Sequence, residues 1–306
     1  MKKSSFVKHI RQEWPLHVLL LPSLILLLIY AYFPMMGIVI AFQDFVPSKG
    51  WGLFFKSEWV GLENFQYIMS MPGFWTALRN TLVIAIWKIV TNIVFPLLLA
   101  LLLNEVKNKT FKKSVQTIIY IPFFFSWVVL GGILIDILSP AGGIVNQGLK
   151  ALGMNTVNFL GNPGTIQPVL VTTNLWKEVG YNTVIFLAAL TSIDPSLYEA
   201  ASVDGAGYSR QMAHITLPSL LPMILLVTVL GMGNVLNAGF DQIFNLYSPV
   251  VYETADIIDT FVYRVGMNEL QYSVSTAINL FKSSVSILLI AVSFHLAKKY
   301  AGYRIF

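Results

Sequence analysis

The chain has 306 residues, a mass of 34.2 kDa, a formal net charge of +5 and no cysteine. Apolar residues make up 56% of it and charged residues 11%, and mean hydropathy is +0.68, whereas soluble domains carry about 25% charged residues. That balance excludes disorder, collagen-like repeats and an ordinary cytosolic enzyme, because such a chain cannot clothe a water-facing surface. The missing cysteines exclude disulfides, thiolate zinc sites, iron–sulfur clusters and cysteine nucleophiles.

A membrane helix needs about 20 mainly apolar residues to cross about 30 Å of hydrocarbon. Six stretches qualify, at about 16–42, 77–103, 114–138, 168–191, 219–242 and 277–297. The first follows a basic segment with Lys2, Lys3, Lys8 and Arg11. It is longer than a signal-peptide core and no small-x-small cleavage site follows, so it reads as a retained anchor. In outer segment 43–76, the run Val60-Gly61-Leu62-Glu63-Asn64-Phe65 suggests a short interfacial helix. Trp51, Trp59 and Trp75 there suit a headgroup region. The segment is either an anchoring loop or a docking surface for an external protein.

Span two carries Lys88, and span three contains Pro122, which membrane helices tolerate when neighbours satisfy the freed carbonyls. Gly142-Gly143, Gly161-Asn162 and Pro163-Gly164 mark turns in the outer segment 139–167. Lys177 and Glu178 interrupt span four. The outer segment 243–276 holds Glu253, Asp256, Asp259 and Glu269 against Arg264. Placing the N-terminus in the cytoplasm puts 12 of the 20 basic residues on that side, with five acids. The positive-inside rule therefore predicts cytoplasmic termini, and the basic charge reflects topology and anionic lipid rather than nucleic acid.

The cytoplasmic segment 192–218 differs from a plain hairpin. Asp194-Pro195 is a helix start, a capping carboxylate before a proline at the first helical position. Gly205 and Gly207 break that helix, Gly205 permitting a turn with positive φ. A second short helix is expected from about Ser209 towards Pro218. Two short helices at a sharp turn make a knob suited to a groove on a partner.

Glu199-Ala200-Ala201, Asp204-Gly205-Ala206 and Ile215-Thr216-Leu217-Pro218 resemble, in order and spacing, the EAA loop of binding-protein-dependent ABC importer permeases. The resemblance covers most of the chain. Val60-Gly61-Leu62-Glu63-Asn64-Phe65, Leu78-Arg79-Asn80-Thr81-Leu82, Tyr120-Ile121-Pro122 and Leu187-Ala188-Ala189-Leu190 all look like stretches of that family. The carbohydrate group, of the MalF/UgpA type and especially the LplB-like polysaccharide-transport permeases, looks most similar. The tail Asp256-Ile257-Ile258-Asp259-Thr260-Phe261-Val262-Tyr263-Arg264-Val265-Gly266 supports that. Met212 departs from the pattern, standing where the family usually has phenylalanine.

The resemblance implies an all-α integral membrane protein with the six-helix type I importer permease fold, in one domain over residues 1–306, in a bacterial plasma membrane. It implies a non-catalytic subunit that pairs with a second permease in a heterodimer. Two ATPase subunits would bind ATP and Mg below, and an extracytoplasmic protein would deliver a sugar, a saccharide of several units. Glu199, Ala200, Ala201, Asp204, Gly205, Ala206, Arg210, Met212, Ile215, Leu217 and Pro218 would form the ATPase-coupling surface. The chain itself holds no Gly-x4-Gly-Lys-[Ser/Thr] phosphate loop and calls for no cofactor of its own.

An ionisable residue within a span is costly and so a functional candidate. Asn174, Lys177, Glu178 and Tyr181 share one face of span four by helical spacing. Asn234, Asn237 and Asp241 follow the same spacing in span five. They suit either a sugar-lined cavity or hydrogen bonding between helices. Lys177 is compatible with an acidic saccharide and with a salt bridge to the partner permease. Lys88, Asp136 and Lys282 read as structural or as lying near the interface. A secondary transporter or channel is the alternative, but no internal repeat supports it. An intramembrane enzyme lacks support, since none of the four histidines (His9, His17, His214, His295) sits mid-membrane beside a second ligand.

Overall fold

The computed structural model describes residues 3–46 and 56–301. Lys2, Trp51 and Arg304 lie outside the described residues. Among the described residues four helices are long and apolar enough to cross a membrane, and the number is six when each of two bent helix pairs counts as one span. The chain divides into two compact units, residues 1–70 with 265–280, and residues 71–264 with 281–306.

In the first unit, span one covers Glu13–Phe42. A π-turn at Leu28–Tyr32 and a 3-10 stretch at Met36–Phe42 follow its α-helical part. Its apolar side chains from Leu16 to Phe33 are about half exposed, as a helix facing acyl chains requires. A two-residue ribbon pairs Gln43 with Trp59 and Asp44 with Glu58. The expected interfacial helix forms at Glu63–Ser70. Asn64 ties it to the end of span one, Nδ2 donating to Ala41 O and Gln43 O at 3.0 and 3.1 Å.

In the second unit, span two is one helix, Pro72–Glu105, with Pro96 inside it. It packs along span four, Pro163–Thr191. Two apolar cores sit at different heights of that pair. One joins Ile84, Ile166, Leu170, Ile243 and Leu246. The other joins Ala100, Leu103, Phe186, Leu190 and Leu220. Residues 88–93 and 174–182 lie between the two cores.

Three expectations about helices need correction. The stretch 114–138 is no single rod: Lys109–Phe124 and Trp127–Leu138 meet at 101°. Ser126 starts the second piece, its Oγ accepting from Val129 N at 3.3 Å, so the bend carries its own helix cap. Span five does not reach residue 242. It ends at Gly233, and a separate helix, Phe240–Leu246, begins after Gly239 at φ +98°. A β-carbon at Gly239 would face both that strained backbone and Lys88 Nζ at 3.0 Å. Finally, the second loop helix does not stop at Pro218. Tyr208–Gln211, a π-turn at Met212–Thr216 and Leu217–Gly233 run on as one span.

The outer part of this unit is braced by two of the sequence stretches singled out above. Asn80 Nδ2 donates to Glu253 O and Asp256 O, and Thr81 Oγ1 accepts from Ile258 N at 2.8 Å. Asp256 in turn pairs with Arg264 at 2.7 Å and accepts from Thr260 Oγ1. Span six is the helix Tyr272–Ala301.

Candidate coupling loop and translocation cavity

The loop is built almost wholly from neighbours in sequence. Asp194 Oδ1 accepts from Ser196 N at 2.9 Å and opens the helix Pro195–Val203. That bond holds the Asp194 carboxyl below the ordinary carboxylate range. The helix ends as Gly205 turns left-handed at φ +75°, with Ala206 N reaching back to Ala201 O at 2.8 Å, the geometry of a glycine helix end. Gln211 straps the two arms, Nε2 donating to Ser202 Oγ and to Ala206 O at 2.9 and 3.1 Å. The hydroxyls of Tyr198 and Thr216 meet at 2.9 Å.

What the loop presents outward is a slim, partly apolar knob. Val203 at its tip is 89% exposed, and Leu197 and Tyr208 are about half exposed. Glu199, Ala200, Asp204, Gly205, Arg210, Leu217 and Pro218 are exposed, while Ala201, Ala206, Met212 and Ile215 are half-buried. Gln211, Tyr198 and Thr216 are absent from the sequence candidates. Their role is internal bracing, and no local pattern marks it.

A cavity of about 450 Å³ opens between the two apolar cores. Span two gives it Lys88 and Asn92, span four Asn174, Glu178 and Asn182, and the broken segment after span five Asn234 and Asn237. Asn92 Nδ2 donates to Asn174 Oδ1 at 2.9 Å. Lys88 Nζ donates to Ala238 O at 2.6 Å and to Gln242 Oε1. Gln242 Nε2 continues to Leu170 O and Thr173 Oγ1, both at 2.8 Å. From span six, Lys282 Nζ reaches Asn237 Oδ1 at 2.6 Å and Asp259 at 2.5 Å. Lys88 therefore satisfies a backbone carbonyl of the broken segment after Gly233, which would otherwise face an apolar interior, and Lys282 holds that segment by the Asn237 side chain.

The sequence candidates divide. Asn174 and Glu178 line the cavity, as do Asn234 and Asn237. Lys177 does not: it is buried, donates to Phe123 O at 2.7 Å, and lies over the rings of Phe123 and Trp127. Tyr181 stacks on Phe123, ring centroids 4.3 Å apart. The expectation that Asn234, Asn237 and Asp241 share a helix face fails, because the helix ends before them; Asp241 lies in the first turn of the next helix. Asn92 and Asn182 were not among the candidates. Asn92 carried a signal, four residues after Lys88 in an otherwise apolar helix.

The chain matches the family model described as "Binding-protein-dependent transport system inner membrane component" over residues 92–301. It is 42% identical to the polygalacturonan/rhamnogalacturonan transport system permease protein YteP of Bacillus subtilis, covering 100% of this chain and 94% of that protein. It is 41% identical to the protein LplB of Bacillus subtilis, covering 95% and 90%. The solved structure of a bacterial alginate ABC transporter, in complex with an alginate pentasaccharide-bound periplasmic protein, matches with a TM-score of 0.87 and 36% identity, covering 95% and 96%. A family model spanning the cavity residues from Asn92 onward and a relative aligned along the whole chain agree, and the chain belongs to the binding-protein-dependent transport system inner membrane components.

Proposed function

We propose that this non-catalytic membrane permease imports sugars of several units, driven by ATP that separate subunits hydrolyse. The observation that carries the reading is the knob 194–218, stiffened by its own bonds and exposing Val203 and Leu197. An apolar projection of that kind fits a cleft on a partner. Glu199, Ala200, Ala201, Asp204, Gly205, Ala206, Arg210, Met212, Ile215, Leu217 and Pro218 form the coupling surface. Two ATPase subunits carry ATP and Mg, a second permease completes the pore in a heterodimer, and an extracytoplasmic binding protein delivers the sugar. Both termini are cytoplasmic in this arrangement, which puts the knob and the basic helix at Lys109–Tyr120 on the same side.

Saccharide cargo is supported by the printed names of relatives, which speak of polygalacturonan, rhamnogalacturonan and alginate. Amides suit it chemically, because each offers both donors and an acceptor to hydroxyl groups. Lys177, spent on Phe123 O, no longer argues for an acidic cargo.

Co-purification of the tagged chain from its own membranes tests the proposal. Recovery of a second permease and of an ATPase with a phosphate loop is expected. Gly205→Val forces a β-branched residue to φ +75° at a cost of about 1–2 kcal/mol; it should shed the ATPase or uncouple hydrolysis from uptake. A chain that purifies without any ATPase and transports in liposomes on an ion gradient alone would overturn the reading.

A further inference from the structure

A second pocket, of about 510 Å³, lies wholly within the first unit and shares no residue with the cavity above. It forms where span one gives way to the ribbon, beside the interfacial helix, and where span six begins. Its size is that of a small-molecule site. Hydrogen-bonding capacity is left over on its walls. Asn64 spends its amide hydrogens on Ala41 O and Gln43 O, which leaves its Oδ1 to accept. Asp44 enters the ribbon through its backbone, and its exposed carboxylate makes no bond to another described residue. Ser273 Oγ accepts from Phe45 N at 3.0 Å and keeps its hydrogen to donate. The phenol of Tyr272 can do both, and its ring and that of Phe45 add apolar faces.

The rim carries a strained residue. Leu270 stands at φ +59°, the one non-glycine residue with positive φ among the described residues. Gln271 N closes that turn on Val265 O at 3.0 Å. Glycine would make the turn without strain, whereas leucine sets an isobutyl group, 62% exposed, at the edge of the pocket. Backbone strain beside a recess of this kind points to a ligand.

We propose that this pocket is a saccharide subsite, separate from the cavity of the second unit, that holds one part of a cargo several units long. Sugar hydroxyls donate to Asp44 and to Asn64 Oδ1, while Tyr272 and Ser273 donate to sugar oxygens. The C–H face of the ring packs on Tyr272 and Leu270. The pocket is open on one side, so a carboxylate on the far edge of the sugar stays in solvent, and neutral and acidic saccharides both fit. The inference rests on the sugar-permease reading above, whose cytoplasmic termini put these span ends on the outer face. It adds a second point of contact for the cargo.

The chain has no cysteine, so Val46→Cys places a single reporter thiol at an exposed position on the pocket wall. The complete importer, purified without its binding protein and held in lipid nanodiscs, is labelled with the neutral reagent 2-hydroxyethyl methanethiosulfonate. Short oligosaccharides from partial hydrolysis of pectin, alginate, xylan or starch serve as probes. At least one hydrolysate should slow labelling about threefold, the factor expected at twice its Kd. Adding Asp44→Ala, or separately Tyr272→Ala, should abolish that protection, and either variant suffices if the other fails to assemble. Protection that persists in these variants places the sugar elsewhere and overturns the proposal, as does the absence of protection by every hydrolysate. If protection is absent while the wild-type importer with its binding protein takes up one of these sugars with ATP, this inference falls and the permease reading stands. If none of them is taken up, the sugar-permease reading falls instead.

Discussion

The loop 194–218 and the cavity keep their shapes by opposite means. In the loop, the bonds run between residues 2, 9 and 18 positions apart. Around the cavity they join residues 45, 82, 150 and 154 positions apart, one between two spans and three from a span to the segment 237–242 after the break. The loop is thus a self-sufficient part that survives when the surrounding helices shift. The cavity has no shape of its own; it is the shape of the helix arrangement, and it changes when that arrangement changes. A transporter needs both, a rigid part to be pushed and a soft part to be remodelled.

The contrast is broken most severely at Lys88. Lys88→Met removes the donor from Ala238 O and Gln242 Oε1 in a buried setting. A stranded buried acceptor costs about 1–3 kcal/mol, so the purified protein should melt earlier and uptake should fall strongly. Binding of the ATPase should be unchanged, since no bond of the loop reaches the cavity. Equal loss of ATPase binding, measured by co-purification, would show that the two regions are not separable. Gln211→Ala works on the loop side. Losing the strap to Ser202 and Ala206 should cost about 1 kcal/mol. ATPase retention in co-purification should weaken while the amount of this chain in the membrane stays unchanged.

The smallest effect is expected at Asp194. Its carboxyl is held below the ordinary value of 3.8 by the bond from Ser196 N, so the folded form has the depressed value. Its contribution is complete above the unfolded value and is lost only as the pH falls through the folded one. Coupling should therefore be flat from about pH 8 to pH 5. Asp194→Asn, which caps without titrating, should match the wild type there and should stay flat on further acidification. A wild-type loss of ATPase retention near pH 6 would point to a different group.

The same contrast decides what can be read from the sequence. Asp194-Pro195 and Gly205 act on their immediate neighbours, so their residue types announce a cap and a left-handed turn before any packing is known. The six spans are likewise legible, because the length and apolarity of a membrane helix are imposed by the bilayer. The break after Gly233 was not. Asn234, Asn237 and Asp241 recur at helical spacing, and the continuation to residue 242 followed from that. What holds the break is tertiary: Lys88, from span two, takes the freed carbonyl of Ala238, and Lys282, from span six, takes the side-chain oxygen of Asn237. The 101° bend at Ser126 had a local signal, a serine before an apolar run, hidden inside a stretch whose hydropathy alone suggested one rod. Lys177 shows the reverse case. Its charge marked it for the cavity, and only the position of Phe123 O explains why it points elsewhere.

The unbroken helical run from Tyr208 to Gly233 has a mechanical consequence. It begins in the knob and ends beside Asn234 on the cavity wall. At about 1.5 Å per residue, its 26 residues form a rod of roughly 39 Å. A tilt of roughly 5° about one end carries the other through about 3 Å, comparable to the length of one hydrogen bond. On the proposed coupling the span is a lever arm, and the π-turn at Met212–Thr216 lies close to the end where an ATPase would push.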